Sequence, residues 1–210
     1  MKITKLGHCC LLIEDNDKRI LTDPGSYTIQ EHSQLRNLDY ILYTHEHGDH
    51  FHLDSLKVIV QHNPKAAVIA NSSVSALLDV ENIAHQKMMD GDELEENGIK
   101  LSAIGELHQK FHDEIPQSEN TGYFINDRFW YPGDAFTNPN RDAEILALPV
   151  AGPWMSVGDA IDYALLIKPK VAIPVHDGLR YGATHKFPAD ILPKHGIEFI
   201  PMLEGDSRDF

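Results

Sequence analysis

Short apolar runs separated by polar turns dominate this chain, and only a few stretches carry a helical spacing. Ile3 to Leu6, Cys9 to Glu14 and Arg19 to Thr22 read as strands, the last two joined as a hairpin by Asp15-Asn16-Asp17. Leu38 to Tyr43 and Ala67 to Ala70 read as buried strands. Between them Leu53, Leu56, Val58 and Ile59 form an apolar stripe that predicts a helix over 54–61, and Asn71-Ser72-Ser73 caps a second helix through Leu78. Further on, Ile99 to Ile104, Gly122 to Ile125, Phe129 to Tyr131 and Ile145 to Pro149 read as strands. Ser156 caps the clearest helix, which runs to Ile167 with Val157, Ala160, Ile161, Ala164 and Leu165 on one face and Pro169 beyond its end. Val171 to Val175 is a buried strand, and Ile197 to Met202 is a last one. The acidic stretch Asp90 to Gly98 reads as a solvated turn without chemistry. Strands first, then alternating helices and strands, and then the same again predict an α/β (α+β) fold. Two sheets packed inside outer helices satisfy that order, with residues 1–210 forming a single domain.

Composition narrows the partners. Eighteen Lys and Arg stand against 32 Asp and Glu, a formal net charge of −14 over 210 residues. A surface this acidic repels phosphate backbones and anionic lipids, so neither nucleic acid nor membrane is expected as a partner. A small-molecule substrate is expected instead, and a homo-oligomer is left open. No apolar run approaches transmembrane length, and no export signal is read at the N-terminus. Cys9 and Cys10 are adjacent, a poor geometry for a disulfide; they read as small buried hydrophobes in a reducing cytoplasm.

The chemistry concentrates in Thr44-His45-Glu46-His47-Gly48-Asp49-His50, which follows the apolar run Tyr40-Ile41-Leu42-Tyr43. In extended backbone, residues two apart face one way, so His45, His47 and Asp49 point together while His50 turns aside. Three later strands also end in ligand-type residues: at His108 after Gly105-Glu106-Leu107, at Asp134 after Pro132-Gly133, and at His176. If those ends share one edge, His45, His47 and His108 surround one ion and Asp49, His50 and His176 a second, with Asp134 between them.

Together with Leu6-Gly7-His8 and Leu21-Thr22-Asp23-Pro24-Gly25, this set resembles the metallo-β-lactamase superfamily. Within it the chain is similar to the lactonase-like metal-dependent hydrolases, the branch of L-ascorbate-6-phosphate lactonase. The resemblance implies a four-layer αββα sandwich with the metals at one edge. Asp134 stands where exported β-lactamases with a cysteine ligand carry that cysteine, and there is no room for the added domain of the nuclease members. Antibiotic hydrolysis and RNA processing are therefore not expected.

The expected activity is that of a dinuclear metal-dependent hydrolase, in which a metal-bound hydroxide cleaves a small ester, lactone or phosphodiester. Asp49 would ligate and orient the nucleophile, and His112 would protonate the leaving group, with His185 and His8 as the other candidates. Two divalent ions are implied; the nitrogen and oxygen donors suit zinc, and manganese or iron also accept them. The alternative is an iron-dependent oxidoreductase on the same scaffold, such as a persulfide dioxygenase. Asp23 reads as a carboxylate that orients a ligand or its loop, and Trp154 as a pocket wall or a packing residue. His52 reads as flanking the metals or exposed, and His32, His62, His85 and His195 as ordinary polar residues.

Overall fold

A computed structural model describes residues 1–178 and 183–210. The first sheet is built from β1 (Lys2–Gly7), β2 (Cys10–Asp15) and β3 (Lys18–Thr22), followed by the one-turn helix α1 (Ile29–His32), β4 (Tyr40–Tyr43), α2 (Leu53–His62), β5 (Ala67–Ala70), α3 (Ser72–Val80) and β6 (Gln86–Lys87). The second is built from β7 (Glu93–Glu96), β8 (Ile99–Ile104), β9 (Gly122–Ile125), β10 (Phe129–Tyr131), β11 (Ile145–Pro149), α4 (Val157–Ile167), β12 (Val171–Val175), α5 (Ala183–Ile191) and β13 (Glu198–Phe199). The chain then returns to the first sheet with β14 (Ser207–Asp209). No helix among the described residues is long and apolar enough to cross a membrane.

The two sheets share one plan. The first runs β14-β1-β2-β3-β4-β5-β6 and the second β13-β12-β11-β10-β9-β8-β7. In each, antiparallel hairpins give way to parallel strands, the transition falling at β3–β4 and at β10–β11, and helices make all the parallel connections but β10–β11. Side-chain alternation sorts the layers. Leu11, Ile13, Ile20 and Leu42 meet Leu101, Ile125, Tyr131 and Ile173 between the sheets. Their neighbours Leu12, Leu21, Ile41 and Tyr43 turn outward onto Leu56, Ile59, Val74 and Leu78 of α2 and α3. On the far side Trp130, Leu146 and Leu148 pack against Ala160, Ile161 and Ala164 of α4. The result is an αββα sandwich.

Strand direction decides where the functional residues collect. β1, β3 and β4 run one way in the first sheet, as β8, β10, β11 and β12 do in the second. Their carboxyl ends lie along one edge, the usual position for ligand-binding residues in such sheets.

Several elements depart from the sequence reading. Glu93–Glu96 within the expected acidic turn is an edge strand paired with β8, its exposed glutamates marking the sheet border. The expected strand 197–202 pairs over Glu198–Phe199 alone. α5, with Pro188 inside it, and β14 were not foreseen. His52, expected near the metals or exposed, caps α2: its Nδ1 accepts from Ser55 N–H at 3.3 Å.

His32, expected to be an ordinary polar residue, is wholly buried, with Nδ1 3.1 Å from Thr28 Oγ1. Burial first, and the charge of His52 second, push its pKa down to about 4. A folded-state value below the ordinary 6.5 means that the unfolded chain binds the extra proton, so stability falls as the pH drops from 6.5 toward 4. Chemical denaturation at pH 7 and pH 5 checks this. The His32→Gln variant should lose about 2 kcal/mol less than the parent over that interval, and equal losses would show that His32 contributes nothing.

Candidate metal centre

Each functional side chain sits just past a strand, where the backbone leaves the ladder and its groups are free to turn. Three do so in the left-handed region: His8 after β1 (φ 44°), Asp23 after β3 (φ 38°) and His176 after β12 (φ 58°). Non-glycine residues adopt this conformation at a cost, and clustering of such positions marks a functional site. Close backbone approach also matters. A Cβ on Gly25 would lie 1.9 Å from the Asp49 carbonyl oxygen, so only glycine lets the loop after β3 pack on the loop after β4. There Ser26 N–H donates to the Gly48 carbonyl at 2.8 Å.

The structure brings His45, His47, Asp49, His50, His108, Asp134 and His176 together. The donor atoms of His45, His47, His108 and Asp134 lie within 4.8 Å of one another. Asp134 Oδ1 is 3.2 Å from His50 Nε2, and Asp134 Oδ2 is 2.9 Å from His176 Nε2. Asp49 Oδ2 is 3.5 Å from His176 Nε2 and 3.9 Å from His50 Nε2. Asp134 thus touches both sets.

Hydrogen bonds at the back of the rings fix which nitrogen faces inward. His50 Nδ1 lies 2.8 Å from Asp23 Oδ2, so in the neutral ring it carries the proton and leaves Nε2 with its lone pair. Thr44 Oγ1 donates to Asp23 Oδ2 at 2.7 Å and can then accept from His45 Nδ1 at 3.0 Å. His108 Nδ1 donates to the Gln109 carbonyl at 2.6 Å, and His47 Nε2 meets Ser118 Oγ at 3.1 Å. The lone pairs of His45 Nε2, His50 Nε2 and His108 Nε2 are therefore turned into one space, where His47 Nδ1 lies 3.0 Å from His45 Nε2. His50 Nε2, His108 Nε2 and Asp134 Oδ1 are buried there without a hydrogen-bond partner. Buried polar atoms left unpaired cost free energy, and a cation is the group that satisfies lone pairs of this kind. The donor set fits divalent metal ions.

Electrostatics agree. Burial works against charge at His50 and His176, yet the adjoining Asp134 carboxylate outweighs it, and both rings are held well above the usual histidine range. Burial, and then the charge of His50, hold His45 well below it. At Asp134 burial opposes ionisation, but His176 and His50 keep the carboxyl well below its usual range.

Asp23 anchors this arrangement. It is wholly buried, and its oxygens also accept from Thr44 N–H at 2.8 Å and face the Tyr131 hydroxyl at 2.7 Å. Behind His176, buried Lys5 contacts Asp177 Oδ2 at 2.5 Å and His185 Nε2 contacts the same oxygen at 2.6 Å, tying β1 and α5 to the end of β12. Lys5 escaped the sequence reading, although its two-residue spacing from buried Ile3 placed it on the inward face.

The three proton-donor candidates separate. His112 is exposed, its Nδ1 accepting from Glu114 N–H, and it does not join the group. His185 is buried against Asp177. His8 lies beside the centre, with Nε2 3.0 Å from Asp49 Oδ2 and its ring 4.3 Å from that of His176. Trp154 is nearly buried and packs edge-on to His108 and His176, with both ring centroids 5.6 Å away. A cavity of about 570 Å³ opens beside these groups, lined by His8, Tyr27, Asp49, Gly152, Pro153 and His176 among others.

Replacing Asp23 by Asn should weaken zinc binding about 10- to 100-fold, because the amide cannot accept from all the donors that now converge on the carboxylate. Zinc titration against a chromophoric chelator checks this; unchanged affinity would remove Asp23 from the account.

A family profile described as a beta-lactamase superfamily domain matches residues 2–176. Protein Rv0786c of Mycobacterium tuberculosis is 34% identical, with 85% of each chain covered. A UPF0173 metal-dependent hydrolase of Archaeoglobus fulgidus is 28% identical over 100% of this chain and 99% of its own. Among solved structures, Igni18, a metallo hydrolase from Ignicoccus hospitalis, superposes with a TM-score of 0.78 at 17% identity, covering 100% of this chain and 98% of its own, a likeness of fold. With most of its length matched by the family profile, the chain belongs to the beta-lactamase superfamily.

Proposed function

We propose that this enzyme, a metal-dependent hydrolase, holds two divalent ions and cleaves a small ester, lactone or phosphodiester. The carrying observation is that Asp134 joins His45, His47 and His108 in one donor cluster and also reaches His50 and His176. His45, His47 and His108 would hold one ion, Asp49, His50 and His176 the other, with Asp134 shared. Zinc suits these nitrogen and oxygen donors, and manganese and iron also accept them. When bound, the ions supply Lewis acidity, which brings the pKa of water down to about 7 and polarises the bond under attack.

The chain's own groups then account for orientation and proton movement. Burial alone would raise the Asp49 pKa, but hydrogen bonds from His176 and His8 hold this carboxyl far below its usual range, so it stays an acceptor at neutral pH. His8 Nδ1 accepts from Gly178 N–H at 3.2 Å, which places the proton of the neutral ring on Nε2, facing Asp49 and lining the cavity. We assign delivery of the leaving-group proton to His8 rather than His112 on this geometry. The cavity volume suits a small-molecule ligand. Its walls of Tyr27, Gly152 and Pro153 offer surface to an apolar substituent, and Trp154 buttresses the ligand rings from behind.

Two measurements test the reading. Chelation should abolish turnover on a panel of lactones, esters and phosphodiesters, and zinc or manganese should restore it; turnover that survives exhaustive chelation would overturn the reading. For the proton donor, His8→Gln should slow substrates with alkoxide leaving groups about 100-fold while barely affecting those with nitrophenolate leaving groups. Equal slowing of both series would assign His8 to positioning alone.

A further inference from the structure

The side chain of Cys9 has no part in the hydrolytic reading, although it sits against the same histidines. It is nearly fully buried on the inward face of the first sheet, directly after His8. Its sulfur lies within 4.8 Å of ring nitrogens of His8, His50 and His176, all four donor atoms being mutually that close. A buried cysteine alone is ordinary core packing. What separates this one is its company: His50 is wholly buried, its Nδ1 is committed to Asp23, and its Nε2 has no hydrogen-bond partner. The inward nitrogen of His50, which also faces Asp134 Oδ1 at 3.2 Å, and the Cys9 thiol therefore share one small space with His176.

Resting on the two-ion reading above, we propose that Cys9 is a ligand of the second ion, joining His50 and His176 as a thiolate. The thiol proton leaves to solvent when the sulfur binds the ion, as metal binding by cysteine requires. The second site would then offer two kinds of anionic donor, the carboxylates of Asp49 and Asp134 and the Cys9 thiolate. Hard ions such as manganese are held by the carboxylates, whereas zinc and cobalt engage the sulfur. Cys10 provides the contrast within the same strand: it points to the opposite face, among Leu12, Leu21 and Leu56 beneath the outer helices.

Cobalt alone, added to the metal-free protein, is the probe, because thiolate bound to cobalt gives a charge-transfer band in the near ultraviolet that nitrogen and oxygen ligands lack. The expected result is two cobalt ions per chain and a thiolate band that grows in with one of them. The band should disappear in Cys9→Ala and Cys9→Ser and persist in Cys10→Ala, with stoichiometry retained in all three. Two bound ions without a band, or a band that survives Cys9→Ala, would overturn this inference and leave the two-ion reading standing. Failure to bind cobalt at all would overturn both.

Discussion

A carboxylate with no access to water holds the two sheets and the histidine-rich edge in register. Asp23, at the end of β3, receives the Thr44 amide and hydroxyl and the His50 ring from the first sheet, and faces the Tyr131 hydroxyl from the second. A buried charge is tolerated only when its lone pairs are satisfied, so these four groups have little freedom to move independently. The same contacts set the inward nitrogens of His45 and His50. Fold and site are consequently one construction: the carboxylate that closes the sandwich at this edge also aims the imidazoles.

The rest of the edge extends that logic. Asp134 and Asp49 add negative charge inside a chain that is already strongly acidic, and Lys5 is committed to Asp177. Cations are needed to balance the centre. The Asp134 carboxylate raises the pKa of His50 and of His176 against the effect of burial, so this spot favours positive charge. Divalent ions would supply it, and would satisfy the unpaired atoms of His50, His108 and Asp134 together.

Much of this was legible in the sequence because ligand chemistry and strand ends leave local traces. His45, His47, Asp49 and His50 announce themselves by spacing, and His108, Asp134 and His176 by following apolar runs. The sandwich followed from the order of elements. What stayed hidden depends on contacts between distant segments. His8 reaches the centre because the turn after β1 packs on the end of β12, where its carbonyl accepts from His176 N–H; nothing local favoured it over His112. Sequence proximity to His108 pointed to His112, but only Phe111 stays on the His108 ring, and the next residue turns to solvent. α5 was masked by Pro188, and β7 by the charges that protect an edge strand.

The central claim is that seven side chains from four strand ends form one two-ion centre. A crystal structure with the metals located by anomalous scattering tests it most directly. The account predicts two ions on either side of the Asp134 carboxylate, one among His45, His47 and His108 and the other beside His50 and His176. A protein that crystallises from metal-supplemented solution with no ion at this edge, or with a single ion bound elsewhere, would contradict it.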